Sequence, residues 1–208
     1  VLTPSQDVLD DVRCRNPRAR LLPHGVDLAH FARALDEATP LPADLAAIPR
    51  PRIGFFGVVD EKWLDLALLE WLARQRPAWC FVLVGALVNV DPTRWASIPN
   101  LRWLGWRPYE SLPGYCRGFA AGIIPFAASE LTRKARPLKM KEYLAAGLPA
   151  ISTVPPETGY ERVVRHAPSR EAFLAALDAV VATGTAAGRE ERLASVRGDS
   201  WDARAEEA

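Results

Sequence analysis

The sequence predicts an α/β protein: a parallel, Rossmann-like sheet with helices on both faces. Two patterns and the composition lead there. From Arg52 onward, short apolar runs alternate with helix-forming segments, the order that produces a parallel sheet covered on both sides. Three of those runs end in glycine, RIGFFG at Gly57, WCFVLVG at Gly85 and LRWLG at Gly105, which is where such sheets receive their ligands. With 208 residues, 49% hydrophobic, 25% charged and a formal net charge of +1, the chain can fill a sizeable core.

In chain order, Val1 to Thr3 reads as the end of a strand, Ser5 as the N-cap of a helix through about Cys14, and Ala19 to Leu22 as another short strand. In the run LLPHGVDLAHF, Gly25 is expected to supply a positive φ, and Asp27 to cap a helical turn beginning at Leu28. A Pro-rich linker, TPLPADLAAIPRP, leads into the first long strand, and residues 63–75 follow as an apolar helix. After the strands ending at Gly85 and Gly105 come a short helix over Tyr109 to Arg117 and a fourth strand, AAGIIPF. Pro137 suits the first turn of a helix over 137–146, which Gly147 stops, and a strand over 149–153 follows. From Ser169 a long helix carries Phe173, Leu174, Leu177, Val180 and Val181 at core spacing. The remainder reads as one polar helix on which Trp201 stands alone on a charged surface.

The segment PLKMKEYLAAGLPAIST, Pro137 to Thr153, carries the functional signal. Lys139 and Lys141 fall in the first turns of its helix, where the helix dipole disfavours cations unless an anion is near, and a phosphate would resolve this. A helix with a solvated charged face would hold the same residues without function. The run resembles the donor-site helix of GT-B fold glycosyltransferases, retaining enzymes of group 1, in which a glutamate holds the ribose of a nucleotide sugar. The matching positions are Pro137, Lys139, Glu142, Tyr143, Leu144, Ala145, Ala146, Gly147 and Pro149. LLPHGVDLAHF likewise resembles the connector between the two domains of those enzymes, with His24 where asparagine is commoner.

The resemblance implies a division of the chain. Residues 1–22 would be the remnant of an acceptor-binding domain, 23–50 the connector, 51–184 the donor domain and 185–208 a terminal helix that crosses back. It also implies metal-independent transfer from a UDP- or GDP-linked sugar, in which basic side chains and a helix N-terminus stabilise the departing diphosphate. No cofactor is implied. Lys139 and Glu130 take the catalytic positions, Glu130 touching the donor sugar. The donor would lie among Gly57, Lys62, Gly85, Trp106, Glu130, Leu131, Thr132, Arg136, Lys139 and Glu142, with Arg133 and Lys134 adding charge to the same loop. Two departures stand out. Many relatives carry two glutamates separated by seven residues, but Lys134 occupies the first of those positions here, and Val58 stands where arginine is usual.

Composition excludes several other classes. The charge balance gives no reason to expect nucleic acid, and no apolar run approaches membrane-spanning length. Cys14, Cys80 and Cys116 form no C-x-x-C and no even set, so they read as reduced packing residues suited to the cytosol. The three histidines show no metal-ligand spacing, and no metal is expected. Gly54-Phe55-Phe56-Gly57 is not the dinucleotide fingerprint, and its phenylalanines would block a pyrophosphate. The chain opens as though from the middle of a longer protein. The acceptor, a glycan, lipid or small molecule, would be held by an absent domain, and peripheral association of the longer enzyme with the inner face of a membrane is left open. An epimerase of the same fold and a non-catalytic nucleotide-sugar or partner-binding module are the rival readings.

Overall fold

The computed structural model describes residues 1–133 and 135–207, without the side chain of Arg133, so Lys134 and the Arg133 side chain lie outside the described residues. The elements in order are β1 (Leu2–Thr3), α1 (Gln6–Arg13), β2 (Arg20–Leu21), α2 (Leu28–Ala32), α3 (Ala43–Ala46), β3 (Arg52–Phe56), β4 (Val59–Asp60) and α4 (Leu66–Gln75). They continue with β5 (Cys80–Val84), β6 (Leu87–Val88), β7 (Leu101–Trp103), α5 (Leu112–Gly118), β8 (Ala121–Ile124), α6 (Glu130–Arg133) and α7 (Leu138–Ala145). β9 (Ala150–Ser152), β10 (Val164–His166), α8 (Arg170–Thr183), α9 (Arg189–Ser195) and α10 (Trp201–Glu207) complete the chain.

The main sheet has six strands in the order β10-β9-β8-β3-β5-β7, every pairing parallel. Side chains alternate across it as the pleat requires. Ile53, Phe55, Phe81 and Leu83 face a core shared with Leu69 and Leu72 of α4 and Phe173 and Leu177 of α8. Phe56, Val82 and Val84 face the opposite core, shared with Phe31 of α2, Tyr115 and Cys116 of α5, and Tyr143 and Leu144 of α7. The parallel, two-faced architecture read from the sequence is therefore the one observed.

Ser5 and Asp27 act as the caps expected of them, and Asp65 and Ser169 add two more. The side chains of Ser5, Asp27, Asp65 and Ser169 each accept a first-turn amide, starting α1, α2, α4 and α8. The cap at Asp65 also explains why the helix expected over 63–75 begins only at Leu66. The residues before it instead place Val59 and Asp60 against Leu87 and Val88 in a small parallel ladder.

Other expectations need correction. Gly25 has no positive φ; its small size matters, because a β-carbon there would meet the Trp201 ring at 2.7 Å. Trp201 is correspondingly not isolated on a charged surface, since its ring lies edge-on to His24 and covers Gly25. The single polar C-terminal helix is two helices, broken at 196–200, where Val26 N–H donates to the Asp199 carbonyl at 2.7 Å. Cys14 is exposed and packs no core, unlike the buried Cys80 and Cys116.

Candidate functional site

β3, β5 and β7 end side by side, and their glycines join them. Gly57 N–H donates to Val84 O, and Gly85 N–H to Gly105 O, both at 2.8 Å. Gly57 and Gly85 have φ of +137° and +148°, and a β-carbon at Gly85 would fall on the Gly57 carbonyl. The Trp103 indole donates to Gly85 O at 2.8 Å from beneath. The result is a narrow backbone ledge at the carboxyl edge of the sheet, the position at which open α/β sheets bind ligands.

α7 stands over that ledge because Tyr143 docks it. The Tyr143 ring lies on Gly122, where any β-carbon would collide with it, and meets Phe56 edge-on at 5.1 Å. With Tyr143 turned into the core, Lys139 and Glu142, three residues apart on one helical face, point at the strand ends. Lys139 runs across Gly57, whose missing side chain leaves it room, and sets its ammonium 5.6 Å from the centre of the Phe56 ring.

A cavity of about 340 Å³ results, lined by Phe56, Gly57, Val58, Val84, Gly85, Ala86, Trp106, Arg107, Tyr109, Leu112, Lys139 and Glu142. Glu142 is only 7% exposed, and its Oε2 is buried with no hydrogen-bond partner among the described residues. Burial raises its pKa above 4.5, and the neighbouring Lys139 pulls it back down. The Tyr109 hydroxyl is pushed up to about 12, by burial first and then by the negative Glu142 and Asp27. Tyr109 is itself stacked on His30 at 4.1 Å.

The loop after β7 is clamped from outside. Arg107 donates to Asp44 of α3 at 2.7 and 3.1 Å and to the Tyr115 hydroxyl at 2.9 Å. Tyr115 in turn donates to Asp44 at 2.8 Å. Beside this clamp Trp106 is 68% exposed at the rim, a flat apolar face open to a ring. Together the cavity offers an unsatisfied carboxylate for hydroxyl donors, an ammonium for an anion and an indole for a planar group.

Of the ten residues expected around a donor, Gly57, Gly85, Trp106, Lys139 and Glu142 line this cavity. The other five do not. Lys62 is exposed, with its backbone N–H held by Asp60 at 2.9 Å. Glu130 opens α6 on the surface and Leu131 follows it, exposed. The Thr132 hydroxyl bonds Ser129 and the Ala127 carbonyl, and Arg136 is paired with Asp7 of α1 at 2.8 Å. Lys141 is also turned away from the cavity: it is 2% exposed and faces Glu157 and Asp199, so carboxylates of its own chain supply the anion sought for it. Sequence reasoning missed Tyr109 and the clamp on Arg107. No local pattern marks Asp44 and Tyr115, 71 residues apart, as partners.

A larger cavity, about 1110 Å³, runs along edge strand β10 between α8 and α9. Alanines and glycines open it, and it lies away from the ledge at β3, β5 and β7. No group of three or more His, Cys, Asp or Glu suited to a metal occurs among the described residues, and no described helix is long and apolar enough to cross a membrane.

Comparison with known proteins agrees with this architecture. The family model described as "Glycosyl transferases group 1" matches residues 50–189. TuaH of Bacillus subtilis (strain 168), named as a teichuronic acid biosynthesis glycosyltransferase, is 34% identical over 109 residues, 51% of this chain and 27% of TuaH. Among solved structures, a glycosyltransferase from Rickettsia africae ESF-5 matches with a TM-score of 0.73 at 14% identity, covering 100% of this chain and 61% of its own. Anabaena HepE in complex with UDP gives 0.72 at 14%, covering 100% and 61%. Sucrose-phosphate synthase from Thermosynechococcus elongatus gives 0.68 at 20%, covering 100% and 56%. The chain thus spans 56% to 61% of the length of these three solved structures, and its match to TuaH spans about a quarter of that protein. On the family match across most of its length, and on a parallel sheet shared with GT-B enzymes, this chain belongs to the group 1 glycosyl transferases.

Proposed function

We propose that this chain is the donor-nucleotide half of a GT-B glycosyltransferase, binding a nucleoside-diphosphate sugar whose sugar passes to an acceptor held elsewhere in a longer enzyme. The observation that carries the reading is the buried Glu142, whose unpartnered oxygen faces a cavity containing Lys139. A buried carboxylate without a partner is costly, and two ribose hydroxyls are well matched to relieve it. Lys139, crossing the Gly57–Gly85 ledge, would meet the diphosphate as its charge grows when the bond from the sugar carbon to the phosphate oxygen breaks. Trp106 would carry the base. Glu130, on the α6 loop beyond the cavity wall, is the proposed contact to the donor sugar. Residues 1–22 and 23–50 would lead from the acceptor domain into this one. HepE forms complexes with UDP, with UDP-glucose and with UDP and glucose, which makes a uridine nucleotide the first to try.

Calorimetric titration with UDP, GDP and ADP tests the reading. One of them is expected to bind, and Glu142→Ala to weaken it roughly 10- to 100-fold, the value of charge-assisted hydrogen bonds to two hydroxyls. Unchanged binding in Glu142→Ala would remove the ribose assignment. The fragment alone is expected to transfer little or no sugar, because one wall of the cleft is absent.

A further inference from the structure

α7 carries a third charged side chain that the nucleotide reading does not use. Lys141 is 2% exposed, and its ammonium donates to the His24 carbonyl at 2.7 Å. Glu157 Oε2 lies 3.4 Å away and Asp199 Oδ2 3.7 Å, and the ammonium sits 5.7 Å from the centre of the Tyr160 ring. Burying an ammonium costs several kcal/mol unless its protons are paired, so this cation holds its place only through these partners. They come from three separate segments: the connector, the loop after β9, and the break before α10. Asp199 is itself tied in, paired through its carboxylate with Arg204 and through its carbonyl with Val26 N–H. Burial pushes the lysine below its ordinary 10.5, and Glu157 opposes the shift.

We infer that Lys141 is a positioning residue of the nucleotide site, fastening the turn of α7 that carries Lys139 and Glu142 to the connector at His24 and to the chain at Asp199. The inference rests on the nucleotide reading above. Tyr143 seats α7 on the sheet through its ring on Gly122, beyond the first turn of the helix. That turn has no side-chain N-cap, since Pro137 occupies the position. Lys141 supplies the missing restraint from the side opposite the cavity. Lys139 and Glu142 share its turn, so a displacement of the ammonium is passed to both. A methionine could fill the same volume without any ion to desolvate, which makes the ionic contacts, rather than packing, the feature to test.

The test uses the 208-residue chain in five forms: wild type, Lys141→Met, Lys141→Arg, Glu157→Gln and the double variant Glu157→Gln/Asp199→Asn. Each is titrated with UDP, GDP and ADP, and amide hydrogen exchange is followed without ligand. Lys141→Met is expected to bind the preferred nucleotide ~3- to 30-fold more weakly, the range for residues that act on a site through a packed network. Exchange should quicken at the amides of α7 while α4 and α8 keep their protection. Lys141→Arg should recover most of the affinity. The double variant should lose at least as much, since it also takes the Asp199 carboxylate from Arg204; Glu157→Gln alone should lose part of the affinity, should add little when combined with Lys141→Met, and reads the Lys141 contact if Lys141→Met does not fold. Binding by Lys141→Met within about twofold of wild type, or exchange that quickens equally in α4 and α8, overturns the inference while leaving the nucleotide reading in place. Wild-type protein that binds none of the three nucleotides defeats that reading, and this inference with it.

Discussion

Glu142 is held at a cost. Its carboxyl is buried and its pKa raised, because burial works against the charged form more than the neighbouring Lys139 supports it. For a group whose folded pKa lies above its unfolded one, the stabilising contribution is complete below the unfolded value, here 4.5, and is lost as pH rises through the folded value. Glu142→Gln removes the charge and keeps the shape. It should therefore melt higher than wild type near pH 7, with the difference closing below about pH 4.5 in a series of thermal scans. The same variant should bind nucleotide more weakly, a trade of function for stability. Lys139 and Glu142 stood out in the sequence through the motif that resembles a donor-site helix, and both line the cavity. Lys141 was read with them as a phosphate-facing cation, and the structure turns it the other way. Helical periodicity ranks faces relative to each other but does not say which face meets which neighbour.

At the scale of elements, the ledge depends on backbone approach. Gly85→Ala would place a methyl on the Gly57 carbonyl and also force a side chain into φ +148°. It is expected to cost about 3 kcal/mol or more, read as a fall in the urea midpoint. Gly105 differs: a β-carbon there finds its nearest atom at 3.6 Å, so Gly105→Ala should carry only the strain of φ +78°, about 1–2 kcal/mol. Glycine at each strand end was visible in the sequence, but this ranking was not. The start of α4 teaches the same lesson. Trp63 and Leu64 fit an apolar helix, yet the Asp65 side chain caps Leu68, and Leu64 is drawn into an antiparallel bridge with Phe126. A cap and a distant partner together outweigh local helix preference.

Across the whole molecule, the C-terminal segment returns to Gly25 and Val26 near the start of the chain. α10 lays Trp201 over Gly25, and the residues before it bond to Val26, which is 1% exposed. Trp201→Ala should lower stability by about 1–2 kcal/mol, less than a fully buried tryptophan would, since the ring is 49% exposed. Gly25→Ala should give a loss of similar size by displacing the ring. Because both act on one contact, the double variant should fall well short of the sum in chemical denaturation. Such a sub-additive cycle would separate this contact from a general loosening of the C-terminus.

Strands β3, β5, β7, β8 and β9, the glycines that end the first three and the caps at Ser5 and Asp27 could be read along the chain, because each is governed by residues within a turn or a pleat of one another. The Asp44 clamp on Arg107, the place of Trp201, the distance of Lys62 and Arg136 from the cavity and the partners of Lys141 came only with the folded molecule. Lys141 and His24 are 117 positions apart. Contacts across such separations are chosen by how two faces of one sheet are filled and how the chain closes over them, and that choice leaves no trace in the spacing of nearby residues.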